Sequence, residues 1–140
     1  MTKVFIASRV GAKTKKQFEK NLKRYRAFAR MAILQGYDAE ATGPYYCMLL
    51  NDFSQEEREL GMKLGIARLL RCQQIWLLEN EDGSLSEGMK REWKAATKHN
   101  RNKPCGSEKE IAVVFFSPKN VEGWLKANDP FGYELWLKSK

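Results

Sequence analysis

Gln74-Ile75-Trp76-Leu77-Leu78, then Glu79-Asn80-Glu81-Asp82-Gly83, then Ser84-Leu85-Ser86-Glu87-Gly88-Met89-Lys90-Arg91-Glu92-Trp93-Lys94-Ala95-Ala96 is the stretch that decides the fold. The opening run is apolar, the pattern of a strand covered on both faces. A polar turn with glycine follows. Ser84 with Glu87 three residues on reads as a capping box, so a helix is expected to begin there. Met89, Trp93 and Ala96 stand at i, i+4 and i+7 and predict its buried face. Glu92 leans toward that same face. A carboxylate aimed at an apolar interior just past a strand end is costly unless it has a partner or a task. It either pairs with a nearby Lys or Arg at the margin of the face or does chemistry.

The same alternation extends in both directions. Lys3 to Ser8 is nearly all apolar and reads as a first strand rather than a signal peptide. Thr14 to Leu34 is a helical pattern with Phe18, Leu22, Tyr25, Ala29 and Ala32 as its stripe, ending at Gly36. Tyr37 to Thr42 alternates weakly, as an edge strand would, and Gly43-Pro44 breaks it. Pro44 to Leu50 is an apolar, aromatic loop or short helix that covers core, a neighbouring subunit or a flat ligand. Ser54 with Glu57 is a second capping box, opening a helix with Leu60, Leu64, Ala67 and Leu70 as its stripe. Gly61 and Gly65 on that helix imply tight helix packing.

Beyond the central helix, expected to run to about Lys98, Lys98 to Pro104 is a polar exit loop. Ile111 to Phe116 is a further strand, and Asn120 to Ala127 a short amphipathic helix around Val121, Trp124 and Leu125. The tail, residues 128–140, is too aromatic to be free and is expected to pack on the domain or on a neighbouring subunit.

Strand and helix therefore alternate four times. That predicts an α/β fold: one domain over residues 1–140, with a parallel sheet of four or five strands and helices on both faces. Such folds bind ligands outside the carboxyl ends of the strands. There the chain gathers Ser8 and Arg9, the segment Thr42 to Tyr46, Glu79 to Asp82, and the helix start with Ser86, Gly88 and Met89. Helix N-termini at that edge favour anions. No glycine-rich dinucleotide fingerprint and no Walker sequence is present.

Composition narrows the classes. The chain has 140 residues and a net charge of +8, with no apolar run long enough to span a membrane. Cys47, Cys72 and Cys105 are odd in number and widely spaced, and His99 is the only histidine. They read as reduced thiols of a cytoplasmic protein, with no zinc site and no cofactor expected. The basic residues, spread over Lys13 to Arg30 and Lys90 to Lys103, read first as solvated helix faces.

Several of these segments together resemble the nucleoside 2-deoxyribosyltransferase-like superfamily, closest to its uncharacterised bacterial and bacteriophage branch. They are Val4-Phe5-Ile6-Ala7-Ser8, Gly36-Tyr37 ahead of Pro44-Tyr45-Tyr46, Glu57-Arg58-x-x-Gly61, Cys72-x-x-x-Trp76, and Ser86-Glu87-Gly88-Met89-x-x-Glu92-x-x-x-Ala96. The resemblance covers residues 3 to 116 and implies a flavodoxin-like three-layer sandwich. It also implies cleavage or transfer of the N-glycosidic bond of a nucleoside or nucleotide, with Glu92 as nucleophile. By the same resemblance Ser84, Ser86, Gly88 and Arg9 hold sugar or phosphate, and Tyr45 or Tyr46 stacks on the base. The chain has Gln73, Glu79 and Gly43 where relatives carry Asp, Gly and His. The acid that protonates the leaving base is then Asp82 or Glu79.

Two rival readings stand beside this one. The first is a nucleotide-binding module without turnover. The second, ranked lower, is nucleic-acid binding by the basic helix faces, where exposed aromatics for stacking are missing from the Lys16 to Arg30 segment. The aromatic tail and the Tyr45 to Leu50 segment give a reason to expect a homo-oligomer.

Overall fold

The structure, a computed structural model, describes residues 1–103 and 109–140. Cys105, and Pro104 at the end of the exit loop, lie outside the described residues. The elements run β1 (Lys3–Ala7), α1 (Lys15–Leu34), β2 (Asp38–Glu40), α2 (Thr42–Leu49), α3 (Gln55–Leu69), β3 (Gln74–Leu78), α4 (Glu87–Arg101), β4 (Ala112–Phe116), α5 (Pro118–Asn128) and α6 (Pro130–Lys138). The four strands form one all-parallel sheet in the order β2-β1-β3-β4.

Side chains on a strand alternate between its two faces, so each apolar strand feeds two cores. Val4, Ile6, Trp76 and Leu78 face α1, α5 and α6, where Phe28, Ala32, Val121, Leu125 and Trp136 meet them. Phe5, Ala7, Ile75 and Leu77 face α3 and α4, where Leu69, Met89 and Ala96 meet them. The result is an α/β, flavodoxin-like three-layer sandwich. Its strand order reverses direction between β1 and β3, which opens a crevice at their carboxyl ends. Among the described residues, no helix is long and apolar enough to cross a membrane.

Several expectations shift. The central helix starts at Glu87, not Ser84, because Asp82 Oδ1 takes both the Ser84 N–H (3.0 Å) and its hydroxyl (2.6 Å) and keeps the turn going. Ser86 is the cap and accepts from the Met89 N–H at 3.3 Å. Trp93 is not core: it packs edge-on against Phe115 of the edge strand β4, centroids 6.0 Å apart. On α1 the buried row is Asn21, Tyr25, Phe28 and Ala32, while Phe18 is only partly buried and lies against Phe53.

The predicted leucine stripe of α3 is the clearest correction. Leu60, Leu64, Ala67 and Leu70 are exposed. The inward line is Gly61, Gly65 and Leu69, because α2 lies against α3. A Cβ on Gly65 would sit 3.1 Å from Thr42 Oγ1, and one on Gly61 would sit 3.5 Å from Leu50 Cδ1. Gly65 thus permits the close helix packing expected of the pair, while at Gly61 a Cβ would make ordinary contact.

The tail folds as α6 against α1. Trp136 is 1% exposed and donates its indole N–H to Glu122 at 3.0 Å. Buried Asp129 receives both Arg30 Nε (2.9 Å) and Arg30 Nη2 (2.8 Å), a forked ion pair that fixes the α5–α6 corner to α1.

Candidate active site

A cleft of about 430 Å³ lies at the carboxyl ends of β1 and β3, a size that suits a small ligand. Three lips surround it. The β1–α1 loop brings Ser8, Arg9 and Gly11, and α2 with the start of α3 brings Thr42, Tyr46, Asp52 and Arg58. The loop after β3 and the start of α4 bring Asn80, Ser84, Ser86, Gly88, Met89 and Glu92.

Glu92 is held inside by its helical register. Met89, Glu92 and Ala96 form one inward row, and Met89 and Ala96 anchor that row in the core. Glu92 accepts no hydrogen bond and closes no ion pair among the described residues. Its neighbour Arg91 points away and pairs with Glu59. The cleft opening leaves the residue half-buried by surface area, yet protein atoms enclose the carboxyl closely. That burial pushes its pKa up to about 8, and Arg91 only partly offsets the rise.

Tyr25 stands beside it. Its buried hydroxyl donates to the Ile6 carbonyl and accepts from the Gly43 N–H at 3.4 Å. Burial, with the charge of Glu92 adding to it, holds the phenol well above its ordinary pKa. Cys47 also lines the cleft, but burial pushes its thiol up to about 12. At neutral pH it is a protonated thiol and no nucleophile.

The remaining predicted residues divide. Ser8, Arg9, Tyr46, Ser84, Ser86, Gly88 and Met89 line the cleft with Glu92. Tyr46 is oriented by Arg68, whose Nε donates to the tyrosine hydroxyl at 3.1 Å while its Nη1 pairs with Glu40 at 2.9 Å. Tyr45 lies outside, exposed, with the same guanidinium 5.3 Å from its ring. Glu79 lies outside too. Its N–H continues the ladder to the Phe116 carbonyl at 2.9 Å, so the residue belongs to the sheet end. Asp82 is exposed and outside the cleft. Its bonds from Ser84 hold its carboxyl below the ordinary range, the wrong direction for a proton donor.

Sequence reading singled out neither Asp52, Arg58 nor Tyr25 as a site residue. Tyr25 looks like core because it is core on one side and cleft on the other. Asp52 and Arg58 reach the cleft only because α3 docks through Gly61 and Gly65, and that glycine pair was the available signal.

No curated protein and no solved structure matches the chain. A family match spans residues 2–104, which includes every residue lining the cleft. The chain belongs to the family described as a domain of unknown function (DUF7768).

Proposed function

We propose that the protein cleaves or transfers the N-glycosidic bond of a nucleoside or nucleotide, with Glu92 as the nucleophile. The observation that carries this is the unpaired carboxyl of Glu92 lining a cleft of about 430 Å³ at the point where the sheet's strand order reverses. The resemblance to the nucleoside 2-deoxyribosyltransferase-like superfamily supports the same reading.

The ionised Glu92 attacks the anomeric carbon as positive charge develops there. The C–N bond breaks, its electron pair leaves with the base, and the base takes a proton from solvent that the open cleft admits. A glycosyl ester on Glu92 remains, and water or a second base then takes the sugar. Tyr46, fixed by Arg68, offers a ring to the base. Gly88 lets the backbone at the start of α4 approach the sugar. Asp82 has no part in this scheme, given its position and its lowered pKa. We further propose that the protein works as a homo-oligomer through α2 and α3, whose Met48, Leu49, Leu60 and Leu64 are exposed.

Chromatography of a panel of deoxynucleosides and their 5′-monophosphates tests the chemistry. Free base is expected with the wild-type protein and not with Glu92→Gln. Equal release by the variant would sink the role of Glu92. Ligand binding without any release would leave a nucleotide-binding module instead.

A further inference from the structure

We infer that the ligand carries a phosphate, gripped between the guanidinium groups of Arg58 and Arg9, and that Arg58 is the residue that sets this specificity. The inference rests on the nucleoside or nucleotide reading above and narrows it.

Of the two hydroxyls that the resemblance offers for a phosphate, Ser84 has spent its one donor: its Oγ donates to Asp82 at 2.6 Å and accepts from Asn80 Nδ2 at 3.1 Å. Ser86 Oγ accepts from the Met89 N–H, which leaves its own O–H free to donate, but one neutral donor is a weak grip. Strong anion recognition needs charge, and charge stands on the other two lips. Arg58, in the first turns of α3, reaches across to the β1–α1 loop. A Cβ built on Gly11 would fall 2.5 Å from Arg58 Nη2. The guanidinium therefore lies against the Gly11 backbone at the cleft wall.

Neither the Arg58 nor the Arg9 guanidinium forms a hydrogen bond or ion pair among the described residues. Those of Arg24, Arg30, Arg68 and Arg91 do, and of the arginines that do not, Arg9 and Arg58 line the cleft. Two more sources of positive potential face the same space. The start of α2, at Thr42 and Gly43, has no side-chain cap, and the start of α4 lies at Ser86 to Gly88. Of the cleft's acids, Glu57 is engaged with the Asn51 N–H and Glu87 with Lys90. Arg58 acts on the charge of Asp52, but the two close no ion pair or hydrogen bond among the described residues. Two planar forked donors without partners, one carried by the β1–α1 loop and one laid against it, match a phosphate's oxygens.

Calorimetry on Glu92→Gln, which keeps the cleft but removes the proposed nucleophile, separates this inference from the chemistry. The probes are the four deoxynucleoside 5′-monophosphates, the four deoxynucleosides and inorganic phosphate. At least one monophosphate is expected to bind about tenfold or more tighter than its nucleoside and than inorganic phosphate. Adding Arg58→Gln should collapse that ratio toward one. Gly11→Ala keeps the charge but displaces the guanidinium, and should lower the ratio as well. Arg58 is exposed and unbonded, so both variants should melt as the parent does.

A ratio near one in the parent, or a ratio unchanged by Arg58→Gln, overturns the inference. Inorganic phosphate binding as tightly as any monophosphate also overturns it, because the grip would then be for a free anion. A clear ratio in the absence of base release by the wild type would keep the phosphate grip and discard the glycosidic chemistry.

Discussion

Arg91 and Glu92 are adjacent in sequence and do not pair. Arg91 turns outward and forks onto Glu59 of α3, Nη1 to Oε1 at 2.9 Å and Nη2 to Oε2 at 3.0 Å. One residue on, Glu92 points into the cleft. A helix turns about 100° per residue, so neighbours in sequence are not neighbours in space. The outward pair ties α3 to α4, and it leaves the one inward carboxyl of α4 unneutralised.

That lone carboxyl makes stability fall with pH. Its pKa is about 8 folded against an ordinary value of 4.5, so the folded state holds a proton that the unfolded state has lost between these limits. Its contribution is fully present below about pH 4.5, declines as pH rises, and levels off above about pH 8. Glu92→Gln should abolish the decline. At pH 8 the variant is expected to be more stable by on the order of 1–3 kcal/mol, since solvent in the cleft softens the penalty. Thermal melts of both proteins from pH 5 to 9 check this. Parallel curves would remove the buried carboxylate from the account.

The same group sets the direction of a rate profile. A nucleophile must be ionised, so kcat/KM for base release should climb with pH, pass through half its maximum near pH 8 and level off above it. A rate that falls across that range would make Glu92 a proton donor instead.

Gly43 and Gly88 offer a contrast. A Cβ on Gly43 would lie 2.5 Å from Cε2 of the buried Tyr25 ring, which has nowhere to go. Gly43→Ala should cost roughly 1–3 kcal/mol and lower the melting temperature. A Cβ on Gly88 would meet only the terminal methyl of Met62 at 2.9 Å, which can rotate away. Gly88→Ala should therefore melt almost as the wild type does. If it still loses activity tenfold or more, the loss reports on ligand approach. Wild-type activity would place the ligand elsewhere along the helix start.

Asp129→Ala should strip the α5–α6 corner from α1. It leaves Arg30 without its forked partner and removes a buried carboxylate, at a cost of about 2–4 kcal/mol. Arg30 holds the Asp129 carboxyl below the ordinary range, so this contribution is present above the usual carboxylate pKa and is lost as pH falls through the lowered value. Denaturation curves at pH 7 and pH 3 should show the variant's deficit shrinking in acid.

The exposed leucines of α3 make the oligomer testable. Leu64→Asp places a charge on the exposed apolar side of α3 without touching the core. It should shift sedimentation from an oligomer to the monomer. A wild-type chain that sediments as a monomer would end that proposal.

Strands and helix order were legible because strands buried on both faces read as unbroken apolar runs. Gln74 to Leu78 falls on β3 end to end, and Lys3 to Ser8 needed only Ser8 trimmed. Capping was harder. Ser84 and Ser86 both precede acids and glycine, and only the Asp82 turn decides between them. Leu60 and Leu64 misled because apolar spacing marks a face without saying which surface covers it. The carboxylate of the site was legible, since Glu92 interrupts an apolar row. Its surroundings were not: Arg58 and Asp52 arrive through helix docking, and the Gly61 and Gly65 pair signals that α3 packs closely without saying which side chains the packing brings to the cleft.

Arg24 joins the end of α6 to the loop that follows β3. Its Nη1 meets Glu81 at 3.1 Å in the loop that carries Asp82 and Ser84, its Nε donates to Ser139 at 3.3 Å, and its guanidinium lies 4.1 Å over the Trp136 ring. The penultimate residue of the chain and a rim of the cleft thus share a single side chain as a common hinge pin. Whatever loosens that pin loosens both places at once, so Arg24→Ala frees the end of α6 and the Glu81 loop together.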